Sequence, residues 1–96
     1  MMGVGAARAG AWRNPGLDER RYDALVDARG LSCPLPLVKA RQALMLLAGG
    51  ATVCVLATDP AAPRDFEDFC EAAGHVLLES RAEAGAFVIV LAKRAG

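Results

Sequence analysis

The sequence has little that would mark it for nucleic acid, membrane or metal. Its eleven Lys and Arg are balanced by eleven Asp and Glu, so no basic surface for a phosphate backbone is expected. Aromatic residues are few, three Phe, one Tyr and one Trp, which leaves little with which to stack bases. Of the usual metal ligands there is one His beside three Cys (Cys33, Cys54, Cys70). They form no CxxC pair and no Cys/His cluster, which excludes the spacings of a zinc site or a dithiol reductase. Three cysteines cannot all pair within one chain, and free thiols fit a reducing cytoplasm. Residues 43–58 are uncharged but fall short of a membrane span and are broken by Gly49-Gly50. The N-terminus lacks the apolar block of a signal peptide. We therefore expect a cytoplasmic protein with no membrane insertion, no direct nucleic-acid binding, no cofactor and no metal.

What is present suffices for one small domain. The chain has 96 residues and is 54% hydrophobic, enough for a core without disulfide or metal staples. Residues 1–20 show no apolar period and carry the turn signal Asn14-Pro15-Gly16; they read as a flexible N-terminal extension with Trp12 as its one candidate anchor. The folded domain is expected over 21–96. At 22–28, Tyr22, Ala24, Val26 and Ala28 alternate with Asp23, Leu25 and Asp27, a half-buried strand. At 36–48, Leu37, Ala40, Leu44 and Leu47 share a helical face, with Gly49-Gly50 as the stop. Residues 52–58 read as an interior strand covered on both faces. Pro63 is expected at the first position of a second helix, whose Phe66, Phe69, Cys70 and Ala73 follow helical spacing up to Gly74. Two last strands fall at 76–80 and 87–91, with a turn near Glu83-Ala84-Gly85. The order β-α-β-α-β-β predicts an α/β (α+β) two-layer sandwich, two helices on a four-stranded mixed sheet.

The tetrapeptide Cys33-Pro34-Leu35-Pro36 places a thiol where the first strand gives way to a helix. Prolines are tolerated in a first helical turn because its N–H groups lack intrahelical acceptors. With Cys33 as N-cap, Leu35 N–H becomes the local donor left for the sulfur, and the helix dipole favours thiolate over thiol. Leu35 precedes a proline and resists helical angles, so a start at Pro36 with Cys33 in an extended lead-in is the other option. Both place the sulfur ahead of a helix N-terminus and predict a moderately acidic thiol.

The segment 25–36, Leu-Val-Asp-Ala-Arg-Gly-Leu-Ser-Cys-Pro-Leu-Pro, resembles the opening signature of the TusA/SirA-like sulfur-carrier family. The stretch 58–65, Thr-Asp-Pro-Ala-Ala-Pro-Arg-Asp, resembles that family's second conserved stretch, and Gly74-His75 sits where members commonly carry that pair. The likeness spans about 22–93. It implies a sulfurtransferase-type carrier that accepts sulfane sulfur as a persulfide and hands it to an acceptor protein, working with a donor such as a cysteine desulfurase or a rhodanese. Carried over by position, Cys33 is the sulfur carrier. Pro34 and Pro36, with Leu35 between them, shape its site, and Asp27 and Gly30 support the approach. Asp59, Arg64 and Asp65 line the neighbouring docking surface, and Lys39, near the sulfur on the helix, can attract an anionic donor or acidic partner. Leu35 stands where the branch serving transfer-RNA thiolation often has an acid, so the pathway stays open between tRNA thiolation, molybdenum-cofactor maturation and sulfur metabolism.

An isolated cysteine suits a carrier, because a CxxC partner would collapse the persulfide into a disulfide and release sulfide. Cys54 in its apolar strand and Cys70 on its helical face read as packed, inert thiols, with Cys70 the first place to look for a second participant. His75 reads as a surface or strand-start residue rather than a general base. A second class of function is a non-catalytic regulatory or partner-binding module whose cysteine senses oxidants. A third, RNA binding, rests on a fold-level similarity to the C-terminal domain of a bacterial initiation factor, and fold alone does not carry function.

Overall fold

The computed structural model describes residues 22–95; the extension expected at 1–20, with Trp12, lies outside them. The elements run β1 (Ala24–Ala28), α1 (Leu35–Met45), β2 (Thr52–Ala57), α2 (Ala62–Ala73), β3 (Val76–Glu83) and β4 (Ala86–Ala92). They form one four-stranded sheet in the order β1-β2-β4-β3. β1 and β2 are parallel, as a strand-helix-strand crossover requires, whereas β4 is antiparallel to both β2 and β3. The mixed sheet with two helices is the expected architecture.

Side chains alternate across a pleated strand, and here the alternation sorts the core into two clusters. Val53, Val55 and Ala57 of β2 join Val26 and Ala28 of β1, and Ile89 and Leu91 of β4, on the face where the helices lie. Ala40 and Leu44 of α1, and Ala62, Phe66 and Cys70 of α2, fill that layer. The intervening residues Cys54, Leu56, Val88 and Val90 form the second cluster, against which Tyr22 and Leu25 pack. β2 is thus buried on both faces, as its continuous apolar run predicts.

The boundaries depart from expectation in instructive places. α1 ends at Met45 with Leu46 as C-cap, three residues before the predicted last residue, Ala48. Its last turn closes through Leu46 and Leu47 N–H groups donating to Ala43 and Leu44 carbonyls, 3.1 Å each. Carbonyls at this end also gain a cation from far along the chain: Lys93 Nζ donates to Leu44 O and Leu47 O, both at 2.6 Å. Cations favour a helix C-terminus, and hydrogen bonds from charged donors are worth about 1.5–3 kcal/mol. Lys93→Ala should cost about 1–2 kcal/mol in a urea titration, with Arg94→Ala, at an exposed neighbouring position, costing less.

β3 runs to Glu83 rather than ending at Ser80. Its polar end is held by backbone pairing with β4 and by Arg81, which bridges Glu79 and Glu83 along the same strand face. α2 begins at Ala62, one residue earlier than predicted, which makes Pro63 its second position. Gly74 ends it with φ +82° and N–H donating to Cys70 O at 2.9 Å, the left-handed cap for which glycine is suited.

Candidate functional site

Parallel β1 and β2 deliver their following loops to the same edge of the sheet. In open α/β sheets the crevice outside the C-terminal ends of the strands is where ligands meet the protein. The β1–α1 loop brings Cys33, the β2–α2 loop brings Asp59, and the first turn of α2 brings Asp65. Cys33 is exposed. Its N–H donates to Asp59 Oδ2 at 2.6 Å, and its Sγ donates to Asp65 Oδ2 at 2.6 Å. Two residues expected only to line a docking surface therefore hold the cysteine directly, one by its backbone and one by its thiol.

The loops are fastened to each other beyond the cysteine. Asp59 Oδ1 accepts from Ala61 N at 2.9 Å, so one carboxylate braces its own turn and the neighbouring loop. These bonds, Ala61 first and Cys33 second, hold the Asp59 carboxyl below its ordinary value. Gly30, with φ +81°, donates its N–H to Thr58 Oγ1 at 2.9 Å. A Cβ there would meet no atom within 4 Å, so the glycine serves the backbone angle rather than a close approach. Thr58 was not among the expected site residues. Its place in the second motif, directly before Asp59, was the available signal.

The local structure corrects the capping expectation. The N-cap of α1 is Pro34, not Cys33, and the helix starts at Leu35. The Cys33–Pro34 peptide is cis. Leu35 N–H is engaged by Ser32 O at 2.8 Å, and Val38 N–H by Pro34 O at 3.0 Å, so the Leu35 donor assigned to the sulfur is spent elsewhere. Pro36 is buried, whereas Leu35 and Val38 are 49% and 39% exposed one helical turn apart. They form an apolar shelf along the start of α1.

The surroundings of the thiol oppose the acidity expected of it. The hydrogen bond to Asp65, then partial desolvation, then the charges of Asp65 and Asp59, raise Cys33 above its ordinary value. A thiol that donates to a carboxylate is favoured over a thiolate that would face one. Two acids close to the sulfur oppose the pull of the helix start.

The other expected site residues lie around this centre. Asp27 ends its bonds on Arg29, which donates from Nε at 2.8 Å, from Nη2 at 2.7 Å and from its backbone N at 3.2 Å. That guanidinium holds the Asp27 carboxyl below its ordinary value, with Lys39 adding a smaller pull. Lys39 is exposed on α1, and Arg64 is exposed on α2, where it pairs with Asp68 at 3.9 Å. His75 accepts from Arg94 N through Nδ1 at 3.0 Å and lies against the Phe69 ring at 5.3 Å. It is a joint of the α2–β3 corner. Cys54 and Cys70 are buried, and burial pushes the Cys54 thiol up to about 12 and the Cys70 thiol upward. Among the described residues no group of three His, Cys, Asp or Glu is placed to hold a metal, and no helix is long and apolar enough to cross a membrane.

Known proteins resemble this chain over most of its described residues. The family described as Sulfurtransferase TusA matches residues 24–93. A putative sulfur carrier protein of Neisseria meningitidis is 47% identical over 66 residues, covering 69% of this chain and 89% of its own. The sulfur carrier protein TusA of Pseudomonas putida is 42% identical over 73 residues, 76% and 91% of the two chains. That of Allochromatium vinosum is 39% identical over 72 residues, 75% and 95%. In three dimensions, the crystal structure of a SirA-like protein from Desulfitobacterium hafniense superposes with a TM-score of 0.65 at 25% identity, over 73% of this chain and 96% of that one. The shared ground is a role in sulfur transfer.

Proposed function

The chain belongs to the sulfurtransferase TusA family, and from that premise we propose that it is a persulfide carrier which loads sulfane sulfur on Cys33 and relays it to an acceptor protein. The observation that carries this reading is that Cys33 is an exposed thiol while Cys54 and Cys70 are sealed in the core. A persulfide on Cys33 has no second thiol of its own chain to attack it, so the sulfur persists until another protein takes it. Asp27, Gly30, Pro34, Leu35 and Pro36 shape the approach. Lys39, Asp59, Arg64 and Asp65 line the surface on which a donor, such as a cysteine desulfurase or a rhodanese, and an acceptor would dock, and the Leu35–Val38 shelf adds an apolar contact. The reaction belongs in a reducing cytoplasm, where all three thiols stay free.

The competing class, an oxidant sensor, is disfavoured by the same geometry. Oxidation follows thiolate character, and the hydrogen bond from Cys33 Sγ to Asp65 opposes sulfenylation in the absence of a docked partner. Intact mass spectrometry after incubation with a cysteine desulfurase and cysteine, or with thiosulfate and a rhodanese, tests the proposal. The expected result is the added mass of one sulfur, removed by reductant, absent in Cys33→Ala and passed on to an acceptor thiol. Sulfenylation under peroxide without sulfur loading from either donor would overturn it.

A further inference from the structure

The carboxylate of Asp65 sits in the first turn of α2, beside the fully buried Phe66. The core therefore fixes its position, and Asp59 fixes that of Cys33 through the backbone N–H. Between these two anchors the Sγ–Oδ2 contact of 2.6 Å has one possible direction: an ionised carboxylate only accepts, so the sulfur must supply the proton.

The contact has different consequences in the two states of a carrier. Empty, the thiol donates to Asp65 and the hydrogen bond is made. Loaded, Sγ is bonded to the transferred sulfur and has no proton to give. Hydropersulfides are more acidic than thiols, so the loaded group is an anion at neutral pH and lies beside a carboxylate. Like charges at such range disfavour the charged form.

We propose that Asp65 is a catalytic residue of sulfur transfer, a latch that stabilises the empty carrier and destabilises the loaded one, so that sulfur arriving on Cys33 is passed on rather than retained. This rests on the persulfide reading above. In the loading step Cys33 Sγ attacks the outer sulfur of a donor persulfide. A new S–S bond forms as the donor's S–S bond breaks, and the donor leaves as a thiolate. The Cys33 proton passes to that leaving thiolate. One persulfide and one thiol become one thiol and one persulfide, with no net oxidation. The acids around the sulfur hold the thiol above its ordinary value, with Asp65 as the largest cause, in keeping with this role. The same contact shields the empty carrier from adventitious electrophiles.

The decisive comparison is wild type, Asp65→Asn, Asp65→Glu and Asp68→Asn. Asp68 lies one turn further along α2, is exposed, and bears the same charge away from the sulfur. The pH profile of Cys33 alkylation by iodoacetamide, followed by mass, reports the thiol directly. Asp65→Asn should shift the profile to lower pH. At pH 7 it should react roughly three- to tenfold faster, because the gain in thiolate exceeds the loss in nucleophilicity at a Brønsted slope of about 0.4–0.5. Asp65→Glu restores the charge and should return most of the shift, and Asp68→Asn should match wild type. In a fixed mixture of glutathione and glutathione persulfide, Asp65→Asn should also hold a several-fold higher ratio of loaded to empty Cys33. An unchanged profile, a shift to higher pH, or an equal shift in Asp68→Asn would overturn the latch. A wild-type protein that takes no sulfur from the mixture would instead defeat the persulfide reading, with the alkylation profiles still deciding what Asp65 does to the thiol.

Discussion

Asp59→Ala is expected to slow sulfur loading of Cys33 by about tenfold to a hundredfold without unfolding the protein. One carboxylate joins two loops, accepting from Cys33 N at 2.6 Å and from Ala61 N at 2.9 Å. Removing it frees the cysteine backbone from the β2–α2 loop, and a displacement of about 1 Å at a reacting atom is worth up to ~10²-fold in rate. Alkylation by a small reagent needs no such alignment and should change far less than loading by a partner protein. Equal loss in both assays would mean that Asp59 acts on the thiol rather than on its position. Acid should mimic the substitution. The Asp59 carboxyl is held below its ordinary value by the bonds from Ala61 and Cys33, so its tether is complete above the unfolded-state value of about 4. It is lost as pH falls through the lower value of the folded state. The protection of the Cys33 amide against exchange, relative to an unfolded amide at the same pH, should therefore fall only below that range in wild type, and be low throughout in Asp59→Ala.

Phe66→Ala should have the largest effect on stability, about 3–5 kcal/mol. Phe66 is fully buried, the largest such side chain among the described residues, and meets Phe69 edge-on with ring centroids 6.5 Å apart. Small domains have only about 5–15 kcal/mol in total, so this one substitution removes a large share. The ring stands directly after Asp65, and a shifted α2 also moves the carboxylate that holds Cys33. A urea titration should show a lower midpoint with a similar slope, and Phe69→Ala, at a partly exposed position, should cost less. A loss below about 1 kcal/mol for Phe66→Ala would mean that the helix layer does not rest on that ring.

The two helices, the interior β2 and the strand order along the chain were legible because their apolar spacing is regular. Phe66, Phe69, Cys70 and Ala73 trace one face of α2, and residues 53–57 form an unbroken buried strand. The C-terminal end of α1 was not legible. Its carbonyls are satisfied by Lys93, 49 positions away from Leu44, and no local pattern announces such a partner. The end of β3 was missed for a related reason. Arg81 to Glu83 look like a loop, yet backbone pairing and the Arg81 bridges keep them in the sheet.

At the site, Cys33 and its prolines stood out as a motif, as did the segment containing Asp59 and Asp65. How they touch did not. The thiol was expected to turn acidic at a helix start because Leu35 N–H was assigned to it, whereas a tight turn gives that donor to Ser32. The sign of the electrostatics then depends on acids 26 and 32 positions away. Sequence neighbours describe the helix end; only the fold brings the carboxylates to the sulfur.

The burial of two of the three cysteines turns the native chain into a single-thiol reagent. Titrated with a chromogenic disulfide, the folded protein should release one equivalent promptly, and the full three per chain only as the core opens. Stoichiometry thus becomes a gauge of integrity: any preparation that gives more than one fast equivalent contains chains whose interior is already accessible.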